Sequence, residues 1–525
     1  MPSDAGPKLL QEWIDRGTLR DPAKPWLIRA EDGRTVSYGE LQDATARIAG
    51  VLKARNLDPN DRVALLANNS IEHLICYFGV MAYGATICTV HVEMNRNQLD
   101  NIFARLKPKL VLHQDGLGLD DLLASDSVAR LRLGNWDEPE TGTFYAEVAH
   151  QKPSTACTAA GPRDDAVILF TSGTSARPKG VVLNYRELLD NIDPAANGFG
   201  ITAGDRVYDF RSFNWASAQL LGALVPINRG ATLVMASKFS ASRFFSHVRQ
   251  HGVTIAAGNP TTINILLNSD GSDHRDNVPT LRFLTSSSAP LTIEEWRRFE
   301  DRFGIPVAQG YGSSETGWIA AIPGEERRLG TAGRPFPYHR LAIVDPDGRQ
   351  LPQSEVGHVE IGGLVGHEFR YLANDGSVAG SGSARMRTGD LGFLDAQGFL
   401  TLTGREKELI IRGGVNISPV EIDGILMQRP ELIEAATIGV PDAIYGEEVV
   451  SFVVGRPGVT VDTNALLHYC ALTLPAFKAP KEIVVSQSLP KTERGKLDRR
   501  ALAERWTTDR VHSEIRPSKG FPGNL

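Results

Sequence analysis

Ala166-Val167-Ile168-Leu169-Phe170 runs straight into Thr171-Ser172-Gly173-Thr174-Ser175-Ala176-Arg177-Pro178-Lys179-Gly180, and Val181-Val182-Leu183 follows at once. Two short apolar runs flank a polar link that contains glycine, so the link reads as a tight loop between two buried elements. Small hydroxylated residues and two glycines let backbone N–H groups and side-chain hydroxyls wrap phosphate oxygens, while Lys179 adds charge. Thr171, Ser172, Gly173, Thr174 and Lys179 are the candidate phosphate ligands. The phosphate loop of kinases and ATPases needs glycine immediately before its lysine and Ser or Thr after it. Here Pro178 precedes and Gly180 follows, which argues against transfer of a γ-phosphoryl group.

The same texture extends outward from this loop. Val63-Ala64-Leu65-Leu66 and Thr232-Leu233-Val234-Met235 are short apolar runs, and they alternate with amphipathic stretches such as Ser242 to Arg249. This alternation predicts an α/β fold, with a large N-terminal domain of βα layered sheets, mostly parallel and covered by helices. Between about Gly324 and Gly392 the strands shorten and turn signals appear, including Asp345-Pro346-Asp347-Gly348 and Asn374-Asp375-Gly376. A small β-rich unit is expected there. Beyond Gly404 helical and strand patterns mix over about 120 residues, enough for a smaller α+β C-terminal domain. The expected division is 1–406 and 407–525, and the tail after Trp506 reads as extended or mobile.

A chain of 525 residues exceeds what one hydrophobic core organises. Its 42% hydrophobic and 22% charged residues fit a soluble globular protein. A formal charge of -6 without basic runs argues against a nucleic-acid partner, so any anionic ligand must be held locally. Cys76, Cys88, Cys157 and Cys470 show no CxxC spacing, which argues against a disulfide frame or a zinc site. The N-terminus lacks the regions of a signal peptide, so a cytoplasmic location is expected. The uncharged stretch Leu74 to Val90 is broken by Gly79 and Gly84, and it reads as a buried helix followed by a strand rather than a membrane insertion. The oligomeric state stays open, a homodimer included.

Four more motifs follow in order. Gln309-Gly310-Tyr311-Gly312-Ser313-Ser314-Glu315-Thr316-Gly317 sets an aromatic ring between glycines, suited to lie along a base, and offers Glu315 as a hard oxygen ligand for Mg²⁺. Arg387-Thr388-Gly389-Asp390-Leu391 presents a short acceptor suited to ribose hydroxyls. Gly404-Arg405-Glu406-Lys407-Glu408 is polar enough to stay wet at a domain boundary, and Pro490-Lys491-Thr492-Glu493-Arg494-Gly495-Lys496 places a lysine near the end.

With the phosphate loop, these motifs resemble the adenylate-forming superfamily of acyl-CoA synthetases, peptide-synthetase adenylation domains and insect luciferases. The resemblance runs from about Thr35 to Leu502. It implies Gly310, Tyr311, Gly312 and Ser314 beside the nucleotide, Asp390 on the ribose with Arg405 nearby, and Lys407 as the hinge. It also implies Lys496 and Glu315 as catalytic residues, Lys496 supporting charge at the α-phosphorus. Gly414, in Arg412-Gly413-Gly414-Val415-Asn416, matches a glycine that lines the pantetheine tunnel in relatives that form CoA esters. The chain is most similar to an acyl-CoA synthetase, which implies ATP, Mg²⁺ and CoA as cofactor and co-substrates and a carboxylic acid as substrate. The alternatives are an adenylating enzyme that loads a carrier protein and a nucleotide-binding relative without turnover.

Arg211-Ser212-Phe213-Asn214-Trp215-Ala216-Ser217 corresponds to the place where many relatives carry histidine and where amino-acid-activating domains carry aspartate. A neutral Asn214 cannot balance a buried ammonium, so a non-amino acid of small to medium size is expected. Phe213, Asn214, Trp215, Gly258 and Ser287 form the expected acid pocket.

Overall fold

A computed structural model of the chain describes residues 6–117, 128–154, 160–171, 178–269, 271, 273–289, 291–321, 326–362, 368–492 and 496–514, the side chains of Thr171 and 509–514 excepted. Two eight-stranded sheets form the large domain. In the first, the strands Val307–Ser313, Phe283–Ser286, Ile255–Ala256, Arg206–Asp209, Thr232–Met235 and Pro25–Arg29 lie side by side and parallel. Antiparallel strands Gly317–Ala321 and Thr35–Ser37 close its edges. In the second, Asp165–Thr171, Thr86–Thr89, Arg62–Leu66, Leu110–His113 and Ala129–Arg132 run parallel, and Lys179–Asn184, Arg370–Leu372 and Val378–Gly380 extend it antiparallel.

Both sheets send apolar residues into one shared core. Leu27, Val207 and Leu233 from the first and Val63, Ile87 and Val167 from the second enclose the helices Tyr38–Ala54 and Ile71–Tyr83. Such layering follows from strands that are apolar on both faces. The stretch Leu74 to Val90 is the expected buried helix and strand: the helix Ile71–Tyr83 stops at Gly84, whose φ of 106° suits only glycine, and the strand Thr86–Thr89 follows. Cys76, Cys88 and Cys470 are free and buried, and burial pushes the Cys470 thiol up to about 11. Cys157 lies outside the described residues.

The β-rich unit is a four-stranded antiparallel sheet of Arg340–Val344, Gly357–Gly362, Arg385–Leu394 and Leu400–Arg405. It differs from the expectation in one respect. Arg370–Leu372 and Val378–Gly380 leave it and join the second large sheet through Lys179–Asn184, so this unit is tied to the strand that follows the phosphate loop.

In the C-terminal part, Leu432–Asp442 and Gly446–Gly455 form a long hairpin, with Glu482–Val485 alongside. The helices Pro419–Leu426 and Thr463–Thr473 bury Ile422, Leu426, Leu466 and Cys470 in one core of this sheet, and Leu502 of the helix Arg499–Glu514 enters another with Ile438 and Phe452. The tail was expected to extend after Trp506, but the helix continues to Glu514. Good helix formers such as Ala503, Glu504 and Arg505 favour that continuation. Among the described residues, no helix is long and apolar enough to cross a membrane.

Candidate active site

Four parallel neighbours of the first sheet, Arg206–Asp209, Ile255–Ala256, Phe283–Ser286 and Val307–Ser313, end on the same side. The segments that follow them, 210–217, 257–260, 287–289 and 314–316, therefore gather at one sheet edge, where ligand crevices of α/β sheets open.

The residues expected at the nucleotide centre on Asp390. Its carboxylate accepts the Tyr311 hydroxyl at 2.6 Å through Oδ2 and pairs with Arg405 Nε at 3.0 Å through Oδ1. Tyr311 and Asp390 are 79 residues apart in sequence, whereas Asp390 and Arg405 face each other across two antiparallel strands. Burial first, and then the Asp390 charge, raise the Tyr311 hydroxyl well above the usual tyrosine range, so it stays protonated as a donor. The Tyr311 ring packs with Ile319, Ala332 and Ile361. Gly310 and Gly312 have a packing reason to be glycine. A Cβ on Gly312 would stand 2.3 Å from the Gly317 carbonyl oxygen, and one on Gly310 would stand 2.8 Å from the Trp318 ring.

Ser314 and Glu315 occupy the turn between Val307–Ser313 and Gly317–Ala321. Ser313 braces that turn through N–H and hydroxyl contacts to Thr316 Oγ1 at 3.3 and 3.0 Å. His339 Nε2 donates to the Thr316 carbonyl at 2.8 Å; since a carbonyl only accepts, the proton sits on Nε2. Burial and then the Glu315 charge push the Tyr371 hydroxyl up to about 12, and Lys179 Nζ lies 5.9 Å from the Tyr371 ring centre. The Glu315 charge and the Lys179 ammonium thus both act on Tyr371.

Ser172, Gly173 and Thr174, and the side chain of Thr171, lie outside the described residues. The ends of the loop are placed: Thr171 pairs with Lys179 and Phe170 with Gly180 across the antiparallel strands. Arg105 secures one end. Its buried guanidinium donates from Nη2 to the Pro178 carbonyl at 2.6 Å and stands 5.2 Å above the Phe170 ring.

The acid side differs from the expectation in two places. Phe213 is fully buried in the main core, so its ring forms no open wall; its carbonyl accepts Gln219 Nε2 at 2.8 Å. Asn214 is only 4% exposed and turns its amide inward, donating to the Ala67 carbonyl at 3.0 Å and to Ser212 Oγ at 3.3 Å. The same Ala67 carbonyl accepts His73 Nδ1 at 3.2 Å. Trp215 is half-buried, its ring centre 5.5 Å from that of His91. Gly258 is held by a backbone bond to Thr285 Oγ1 at 3.2 Å, and Ser287 is buried beside it.

Gly414 and Lys407 stand apart from this cluster. Lys407 is exposed in a short 3₁₀ turn, Glu406–Glu408. Gly414 has a φ of 80° with no atom within 4 Å of the place a Cβ would take. Lys496 is half-buried, and its backbone N–H and carbonyl both meet Thr492, at 3.3 and 2.7 Å, closing a small loop.

The sequence motifs missed Arg105, His339, Tyr371 and the Asp209–Arg211 pair. A signal existed for two of them. Arg105 interrupts the apolar face of the helix Arg96–Leu106, and Asp209 and Arg211 are opposite charges two residues apart at the end of an apolar strand.

The chain was compared with known proteins. Residues 14–365 match the family described as AMP-binding enzyme, and residues 421–496 match the AMP-binding enzyme C-terminal domain. A sulfoacetate–CoA ligase of Cupriavidus necator is 32% identical over 92% of this chain and 94% of its own length. An indoleacetate–CoA ligase of Aromatoleum aromaticum is 30% identical over 95% and 99%. The structure of ATP-bound MatB from Rhodopseudomonas palustris superposes with a TM-score of 0.86 at 27% identity, covering 95% of this chain and 99% of that one. Two family matches in chain order, spanning both parts of the fold that carry the motifs, settle the affiliation: the chain belongs to the AMP-binding enzyme family.

Proposed function

We propose that the chain is an ATP-dependent carboxylic acid:CoA ligase for a small, non-amino acid. The observation that supports this reading is Asp390, held by Tyr311 and Arg405 from two distant motifs; in this reading it accepts from the ribose. Curated relatives that span most of the chain are CoA ligases, and their acids range from sulfoacetate to indoleacetate, so the kind of reaction carries over and the acid does not.

In this reading the carboxylate attacks the α-phosphorus of ATP, giving acyl-AMP and releasing pyrophosphate. The thiol of CoA then attacks the acyl carbonyl and AMP leaves. Lys179 and Lys496 supply positive charge to the phosphates, Lys496 at the α-phosphorus, where charge builds in the transition state. Asp390 and Tyr311 hold the nucleoside end, so the phosphates lie toward Lys179 and Glu315. Glu315 is a hard oxygen donor on a braced turn, which fits Mg²⁺, and the ion when bound would neutralise phosphate charge. The division at Lys407 lets the C-terminal domain turn between the two half-reactions.

Incubation with ATP, CoA and a panel of acids tests the proposal. AMP, pyrophosphate and an acyl-CoA are the expected products, and ADP as the sole nucleotide product would exclude it.

A further inference from the structure

Asp209 ends the strand Arg206–Asp209, and Arg211 folds back onto it. Arg211 Nε donates to Oδ1 at 3.0 Å and Nη2 to Oδ2 at 2.7 Å, a bidentate pair in which the Asp209 side chain is fully buried and that of Arg211 is 8% exposed. The Arg211 backbone N–H adds a third bond to Oδ1 at 2.9 Å, and Nη2 also reaches the Ser217 carbonyl at 3.1 Å. Nη1 remains. Among the described residues its contact is Ser287 Oγ at 3.5 Å, the long limit of a hydrogen bond.

That contact spans the crevice. Arg211 follows one strand and Ser287 follows the next but one, and the strand between them, Ile255–Ala256, continues into Ala257 and Gly258. With only Ala257 and Gly258 at the middle position, Nη1 and Ser287 Oγ come within 3.5 Å of each other. Gly258 has no alternative there, since a Cβ would stand 2.9 Å from the Thr285 carbonyl oxygen. The expected acid crevice therefore presents a guanidinium N–H and a hydroxyl side by side, near enough to bind one oxygen together.

We infer that Arg211 and Ser287 determine which acid is accepted, and that this acid carries an uncharged oxygen acceptor, a hydroxyl, keto or amide oxygen, on its far end. The inference rests on the ligase reading. An alkyl end would bury an N–H against carbon, where nothing replaces the water that it loses. A second carboxylate or a sulfonate would add a net negative charge beside an ion pair that already balances itself, and a buried charge needs a partner of its own. A neutral dipole meets the donors and leaves the balance intact.

Pyrophosphate release by the full chain, measured as kcat/KM for propanoate to hexanoate, each against its hydroxy, oxo, terminal-carboxylate and terminal-sulfonate forms, tests this. The best acid is expected to be a hydroxy or oxo acid that exceeds its alkyl counterpart by about tenfold or more. In Ser287→Ala, and in the double variant Asp209→Asn/Arg211→Gln, which keeps the buried pair polar and neutral, that ratio is expected to fall to about threefold or less. A purely structural role would lower all acids by one factor and keep the ratio. Preference for an alkyl acid, preference for a dicarboxylate or sulfonate, an unchanged ratio in both variants, or no release with any oxygenated acid overturns the inference. Pyrophosphate release without acyl-CoA would defeat the ligase reading alone, since the ratio is read at the first step and still decides the inference.

Discussion

The expected nucleotide wall and the expected acid wall meet at the first sheet, to which the four-stranded sheet adds Asp390 and Arg405, and they are held in different ways. At the nucleotide wall, Asp390 is gripped by Tyr311 and Arg405, and all three belong to recognisable motifs. At the acid wall the irregular segment 210–217 is stapled by amides from elsewhere in the chain. Asn69 donates to the Arg211 carbonyl at 2.8 Å and accepts the Phe213 N–H at 2.9 Å, while Gln219 ties the Phe213 carbonyl to Thr89 Oγ1, each at 2.8 Å. Irregular backbone buried in a core must find partners, and side-chain amides supply both donors and acceptors. The expected nucleotide wall is built from residues of sequence motifs, whereas the expected acid wall is a shaped backbone stapled by the amides that the fold brings near, Asn69 and Gln219.

Lys496 lies outside both walls and gives the largest expected effect. Lys496→Ala should slow pyrophosphate release by about 10²-fold or more with every acid, yet still convert supplied acyl-AMP and CoA to thioester. Single-turnover assays of each half-reaction check this, and equal loss of both would merge the steps that the two walls are taken to share. Asp390→Ala comes next. Loss of a charged acceptor with two partners should lower kcat/KM for ATP by about 10- to 100-fold and leave the ranking of acids intact. A reordered ranking would mean that the walls are one coupled unit.

Legibility follows the same divide. The alternation of apolar Val63 to Leu66 and Thr232 to Met235 with amphipathic Ser242 to Arg249 announced the layered sheets, because period and turn chemistry are local properties of the chain. The motifs also named Tyr311, Asp390 and Arg405, which the fold brings together. The acid wall was harder to read: Phe213 and Asn214 were legible as positions, but their inward orientation depends on Gln219 and Ala67, contacts across 6 and 147 residues that no local pattern encodes. Arg370–Leu372 was likewise expected in the small β unit, and its pairing with Lys179–Asn184 is a long-range choice of sheet edge.

A pH test probes the acid wall from beneath. His73 is fully buried, and desolvation lowers its pKa from the model-compound value of 6.5 to about 4, against the favourable carbonyl contact of Ala67. A histidine with a lowered folded pKa contributes stability that is fully present above the unfolded pKa and is lost as pH falls from there through the folded value, because the unfolded chain takes the proton first. Between pH 7.5 and 5 the wild type should therefore lose about 2 kcal/mol that His73→Asn does not lose. Urea unfolding at the two pH values measures it. Parallel losses in the two proteins would show that burial does not hold His73 neutral.

The smallest effect is expected at Asn214, and it separates support from contact. Asn214→Ala removes a bond to the Ala67 carbonyl worth about 1 kcal/mol, but that carbonyl keeps His73 Nδ1 as a donor. The substitution also removes Asn214 Oδ1, a buried acceptor with no partner among the described residues, whose burial costs about 1–3 kcal/mol. The two changes oppose each other, so the shift in unfolding free energy should stay within about 1 kcal/mol. Acid selectivity should follow the same logic. An amide turned toward the protein touches no substrate, so kcat/KM ratios between acids should move by less than about threefold, well below the change expected for Ser287→Ala. A shift of tenfold or more in the acid ratios would return Asn214 to direct contact with the acid and make the inward amide a resting position that substrate displaces.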